Sequence, residues 1–181
     1  MKTGVARSVS NRGYEIALAD RILGDAGFGV EAVQNHFSLL HRGSERAGIL
    51  AYCREHDVRF FSYMVLEQGA LTGRYNPANP MPEGSSRQPG GCVQRPHAPT
   101  AGADGPDGGI GEDRGASAAN VATTWAIAKG ATLIIGVTKA SHVDGLTRAR
   151  GIELADAEIA ELEALADAAD VDTRGWWEPE M

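Results

Sequence analysis

Cysteine is scarce in this chain, with Cys53 and Cys92 the only two among 181 residues. Two thiols cannot build a disulfide framework, and neither belongs to a C-x-x-C pair. Positive charge is in deficit, because 17 basic side chains face 24 acidic ones and leave a net charge of −7. That balance argues against nucleic acid or an anionic membrane as the main partner, since both need concentrated positive charge. Nowhere do apolar residues approach the run of about 20 that a membrane span requires. The amino terminus carries no apolar signal segment either. These absences leave a soluble α/β protein of a reducing, cytoplasmic compartment, long enough for one domain with its own core.

Large apolar residues are also missing from one internal stretch. Between Gly84 and Gly115 lie nine of the 23 glycines and four of the eight prolines, but only Val93 and Ile110 as large aliphatics and no aromatic residue. Such a composition cannot bury enough surface to offset chain entropy, so the segment is expected to be a disordered insert. It divides the chain into residues 1–83, 84–115 and 116–181.

On both sides of the insert the pattern is regular. Val5–Ser10, Val30–Gln34, Val58–Tyr63 and Thr132–Val137 are β-branched or aromatic-rich runs that mostly do not alternate, which suits parallel strands covered on both faces. Helical spacing separates them. Tyr14–Asp25 places Ile16, Leu18, Ala19, Ile22 and Leu23 in a repeat that Gly27 can stop. Ser44–His56 reads as one helix capped by Ser44. Ser117 caps a helix through Lys129 with Gly130 as its left-handed end, a short helix covers His142–Arg150, and Asp156 caps a last helix with an apolar stripe of Ile159, Leu162, Leu165, Ala166 and Ala169. Strands alternating with helices imply a parallel sheet.

Each strand ends in polar or glycine-bearing residues: Ser10-Asn11, Gln34-Asn35, Ser62-Tyr63 and Gly136-Val137-Thr138-Lys139. In parallel α/β folds ligands bind at the carboxyl ends of strands. The densest signal runs from Ser62 to Tyr75, where an aromatic residue ends a strand and Gly69 and Gly73 precede Arg74. Free N–H groups beside those glycines, with Arg74, can cradle a pyrophosphate, and Tyr63 offers a flat face to a ring. A plain turn beside a core tyrosine satisfies the same spacing. Other signals carry less. Gly109-Ile110-Gly111 has no preceding strand, His36 and His41 lack a metal-ligand spacing and a placed carboxylate, Trp176-Trp177 reads as a packing anchor or tail, and the acids of Asp156–Asp172 read as a solvated helix face.

Taken together, Ser8-Val9-Ser10-Asn11, Gln34–Leu40, Ser62–Tyr75 and Ile134–Lys139 resemble successive landmarks of the aldo-keto reductases, in that family's order and near its spacings. The resemblance implies a partial (β/α)8 barrel, roughly strands five to eight with their helices, that binds NADP(H). It implies that Ser10, Asn11 and Gln34 hold the nicotinamide carboxamide and that Tyr63 stacks on the ring. The backbone from Met64 through Leu66 and Gly69 to Gly73, with Arg74, would hold the pyrophosphate, and Gly136, Thr138 and Lys139 the 2′-phosphate. Met64-Val65 stands where Ser-Pro is more usual, and Gly145-Leu146 where many members carry Glu-Asn at the adenine.

The family's catalytic Asp, Tyr, Lys and His come from the first half of the barrel and have no counterpart here, so Tyr63, Lys139 and the histidines His36, His41, His56, His97 and His142 do not inherit those roles. The expectation is an NADPH-dependent carbonyl reductase needing a separate first half, or a second copy, and inactive alone. The alternative is a non-catalytic fragment: a weak nucleotide-binding module or a degraded gene product. Gln88–Asp113, lacking apolar periodicity where the family has a helix, suggests a reading-frame displacement closed just before Gly115.

Overall fold

The computed structural model describes residues 8–9, 13–74, 79, 110–111, 114–169, 171 and 173. Among the described residues four parallel strands form one sheet in sequence order: β1 (Ser8–Val9), β2 (Ala32–His36), β3 (Arg59–Tyr63) and β4 (Thr132–Leu133). Between and after them lie α1 (Gly13–Asp25), α2 (Gly43–Arg46), α3 (Ile49–Glu55), α4 (Ala118–Ala128), α5 (Ala140–Arg150) and α6 (Asp156–Ala169).

Alternation gives each strand two faces. On β2, Val33 is fully buried and Asn35 donates its amide to Ser44 Oγ of α2 at 3.2 Å, so this face meets the helices. Phe60 and Ser62 of β3 are buried on the same side. There Phe37 packs edge-on against Phe60 and stacks with Trp125 of α4 at a centroid distance of 5.1 Å. Ile16, Ile49 and Leu162 bring α1, α3 and α6 to this core. Ala32, Gln34 and His36 lie on the opposite face, beside their register partners Arg59, Phe61 and Tyr63.

Several helix ends follow their local chemistry. Ser117 accepts from the Asn120 N–H while Asn120 Oδ1 accepts from the Ser117 N–H, a reciprocal cap on α4. Gly27 and Gly130 take left-handed φ of 75° and 86° at the ends of α1 and α4.

Elsewhere the structure departs from expectation. Ser44–His56 is two helices, because Gly48 turns left-handed at φ 74° and breaks the run. Ser44 lies inside α2, its hydroxyl used by Asn35 instead of capping. Asp156 is the first residue of α6 rather than its cap, and Glu158 reaches back to accept from the Ala155 N–H at 2.8 Å. The second strand runs on to His36, whereas the fourth pairs only through Leu133. Within Val5–Ser10 the strand described is Ser8–Val9. On α1, Tyr14, Leu18 and Ile22 form a stripe that remains 43–66% exposed.

Most of the 84–115 segment lies outside the described residues, as does Trp176-Trp177. Its far end, though, is packed. Ile110 is half-buried against the core, and a Cβ at Gly111 would meet the Ala116 carbonyl at 2.8 Å. Arg114 pairs with Glu158 at 2.7 Å. The acids of α6 are likewise more than a wet face. Glu163 accepts from Trp125 Nε1 at 3.0 Å and pairs with Lys129 at 3.0 Å and Arg42 at 3.1 Å, while Asp167 pairs with Arg42 and Arg46. Burial raises the Glu163 carboxyl, but Lys129 and Trp125 outweigh it and hold the group below its usual range.

Candidate functional site

At the carboxyl ends of β3 and β4 the chain opens into a cleft of about 660 Å³, within the range of small-ligand sites. One wall is the segment after β3. Met64, Glu67 and Gln68 are left-handed without being glycine, at φ 60°, 45° and 53°, and Gly69 and Gly73 follow at 100° and 72°. Runs of such residues turn successive N–H groups away from regular ladders, which is how backbone makes an anion-binding concavity. The turn closes on itself through Glu67 N–H to Met64 O and Gly69 N–H to Leu66 O, both at 2.8 Å, and the Thr72 hydroxyl donates to Gly69 O at 2.6 Å.

The opposite wall is the segment after β4. Gly136 and Thr138 line it, and a Cβ at Gly136 would meet nothing within 4 Å. Asn120 of α4 closes the floor, its amide donating to the Gly145 carbonyl at 2.6 Å. The structure therefore gathers Met64, Leu66, Gly69, Arg74, Gly136 and Thr138 around one space. Gly73 lies between Thr72 and Arg74 of the same wall. Lys139, exposed at the N-cap of α5, follows Thr138 but is not itself a wall, and it forms no ion pair among the described residues. Gln34 and Tyr63 lie outside the cleft, on the open face of the sheet, on adjacent strands. Ser10 and Asn11 fall outside the described residues.

A second hollow of about 620 Å³ opens at the amino ends of β2 and β3, lined by Glu31, Cys53, Arg54, Asp57, Arg59 and Lys129. It is at the wrong end of a parallel sheet for ligand chemistry. The Cys53 thiol there is buried and pushed up by that burial, which makes it a poor nucleophile.

One constellation was not foreseen. The Glu67 side chain is fully buried, and its Oε1 is 2.8 Å from His36 Nε2 and accepts from the Ser38 hydroxyl. His36 stacks on His41 at 3.8 Å with a 6° tilt, and on Tyr63 at 5.6 Å. His41 Nδ1 in turn lies 2.9 Å from Thr173 Oγ1. The sequence places no carboxylate beside His36, but Glu67 supplies one from 31 residues away. Among the described residues no group of His, Cys, Asp and Glu is arranged to hold a metal, and no helix is long and apolar enough to cross a membrane.

The sequence profile of the aldo/keto reductase family matches residues 1–167. A chloroplastic pyridoxal reductase of Arabidopsis thaliana is 30% identical over 172 residues, which is 90% of this chain and 44% of that protein. Among solved structures, the glycerol dehydrogenase of Gluconobacter oxydans superposes with a TM-score of 0.66 at 19% identity, covering 96% of this chain and 52% of that one. A thermostable aldo-keto reductase solved with the inhibitor epalrestat gives 0.56 at 20% identity, covering 87% and 47%. At such identities the two structures speak for the fold, and the chain spans about half the length of these relatives. The family profile over most of the chain, the parallel α/β sheet and the cleft at its carboxyl edge lead to one conclusion: this chain belongs to the aldo/keto reductase family.

Proposed function

We propose that this chain is the nucleotide-holding half of an NADP(H)-dependent aldo-keto reductase barrel, equivalent to strands five to eight, without the catalytic tetrad of a complete member. The observation that carries the reading is the meeting of two loops across one cleft: the left-handed Met64–Gly73 turn and the Gly136–Thr138 segment. The cleft fits a dinucleotide phosphate in size, and Lys139 adjoins it with its ammonium unpaired among the described residues. In this reading Met64 to Gly73 with Arg74 receives the pyrophosphate, and Gly136, Thr138 and Lys139 surround the 2′-phosphate. Gln34 holds the carboxamide, with Ser10 and Asn11 joining it. Tyr63 supports the ring from the neighbouring strand. Bound NADP(H) supplies the hydride, and the chain's own work is to bind and orient.

In this reading proton delivery is left to the other half of the barrel. A positioned general acid contributes about 10²–10⁴-fold to rate, and the resemblance assigns that role to the first four strands. The exposed stripe of Tyr14, Leu18 and Ile22 at one end of the sheet, and exposed Ile134, Val137 and Val143 at the other, are the surfaces a separate first half or a second copy would cover. Titration with NADPH, followed by its own fluorescence, tests the binding reading: saturable binding tighter than for NADH is expected, and its absence overturns the reading. Aldehyde turnover by the isolated chain, abolished by Tyr63→Phe, would overturn the missing acid. Restored turnover on mixing with a first-half polypeptide separates an enzyme half from a purely binding fragment.

A further inference from the structure

Nucleotide binding does not by itself account for the buried carboxylate behind Tyr63. Glu67 has no solvent exposure, yet both of its neighbours in the cluster converge on Oε1, and Oε2 is buried with no hydrogen-bond partner. A carboxylate satisfied on one oxygen only is a poor source of stability, because desolvation is set against incomplete compensation. The residue also carries a left-handed backbone, as do Met64 and Gln68 in the same turn. Non-glycine residues hold that conformation at a cost and only where their surroundings fix it. The cluster's position shows what it fixes. Through Oε1 the turn after β3 is tied to His36 at the tip of β2 and to Ser38 just beyond it. Ser38 is itself locked to His41, accepting from its N–H at 3.0 Å through the side chain and donating its own N–H to the His41 carbonyl at 3.1 Å.

The His36 ring is held between His41 and Tyr63. Fixing its Nε2 therefore fixes the ring against which Tyr63 packs. Glu67 thus meets two surfaces at once: the Met64–Gly73 turn, of which it is part, and the Tyr63 ring, which it reaches through His36. Of the titratable groups, His36 touches Glu67 directly, and His41 stacks on the His36 ring.

We propose that Glu67 is a positioning residue for the nucleotide, acting through His36 and Ser38 to hold the pyrophosphate turn and the ring platform in one arrangement. This rests on the reading of that turn as the pyrophosphate cradle. The test compares Glu67→Ala, Glu67→Gln and, as a destabilised control on α6 outside the turn, Leu162→Ala. Two probes are titrated: NADPH, and 2′-phospho-ADP-ribose, which has the pyrophosphate but no nicotinamide. Amide hydrogen exchange over residues 64–73 is measured without nucleotide. Glu67→Ala is expected to weaken both probes by about tenfold or more and to speed exchange in the turn, the scale of a lost charge-assisted hydrogen bond. Glu67→Gln keeps an acceptor at Oε1 and should recover part of the affinity, while Leu162→Ala should lower the melting temperature and leave both dissociation constants within twofold of wild type. If the wild-type chain binds and Glu67→Ala binds equally well, the positioning role is wrong and the cofactor reading stands. If the wild type binds neither probe, the cradle reading fails. Unchanged exchange in Glu67→Ala then removes the clasp as well.

Discussion

The α1 stripe makes the behaviour of the isolated chain calculable. Tyr14, Leu18 and Ile22 recur every fourth residue and are 66%, 43% and 59% exposed. Fully burying a side chain of that size is worth about 1.5–3 kcal/mol, and roughly half of each remains to be buried, so covering the stripe contributes about 1 kcal/mol per residue. The isolated chain is therefore expected to self-associate in solution. The double variant Leu18→Lys, Ile22→Lys should remove about 2 kcal/mol of that drive, weakening association roughly 30-fold. Lysine is the informative choice because it moves the net charge of −7 toward zero. Overall repulsion falls, so dissociation can be assigned to the lost apolar surface. Both positions face outward, so helix content by circular dichroism and the melting temperature should stay near wild type. Sedimentation velocity across the micromolar range reads the outcome. A wild-type chain that is monomeric throughout, or a double variant that sediments like an associating wild type, would refute the argument.

Lys139→Ala should weaken NADPH binding several-fold and leave NADH nearly unchanged, since only the 2′-phosphate differs and an exposed ammonium acts through screened charge; equal losses in a paired titration would place Lys139 elsewhere. Asp20, held below its ordinary range first by the Val30 N–H at 2.8 Å and then by the Tyr52 hydroxyl at 2.9 Å, gives stability that is present above the unfolded carboxyl value of 3.8 and lost as pH falls through its lower folded value. Tyr52, pushed up to about 12 by burial and by Asp20, works at the other end: stability declines as pH rises from 10 toward 12, and Tyr52→Phe should flatten that decline in urea titrations across the range. Ser117→Ala should cost about 1 kcal/mol by breaking the reciprocal cap of α4, a fall of about 2–4 °C in calorimetry for a chain of this size.

Local chemistry was readable in the sequence wherever neighbours along the chain decide the outcome. Gly27 and Gly130 end helices because only glycine accepts their left-handed φ cheaply, and Ser117 with Asn120 three residues on announces a cap. Four parallel strands followed from apolar runs separated by helical spacing, although β4 was drawn too long: Ile134 onward is apolar in sequence but half-exposed at the sheet edge. Gly48 deceived because a glycine within a helical pattern is tolerated more often than it breaks, and here it breaks. The cleft residues were named through resemblance, and their gathering depends on a pairing across the whole middle of the chain. Glu67 was invisible for the same reason. Its partners His36 and Ser38 lie about thirty residues upstream, and a glutamate beside a glycine turn reads as a solvated charge until the fold buries it.

The pairing of β3 with β4 has a kinetic side. Ser8 meets Ala32 across 24 residues and Ala32 meets Arg59 across 27, but Phe61 meets Thr132 across 71. Were every intervening residue free chain, closing the longer loop would cost only about 0.9 kcal/mol more than closing the 27-residue one, because closure entropy grows with the logarithm of length. The equilibrium therefore tolerates length variation between β3 and α4 well. The rate does not share that tolerance, since non-local contacts must be closed before they stabilise anything. The first three strands with α1 to α3 can assemble early, while Trp125, waiting on the far side of the long connection, completes the aromatic core last. Changes in that connection should thus register in the refolding time of tryptophan fluorescence, read in a Trp176→Phe, Trp177→Phe background that leaves Trp125 alone, before they register in stability.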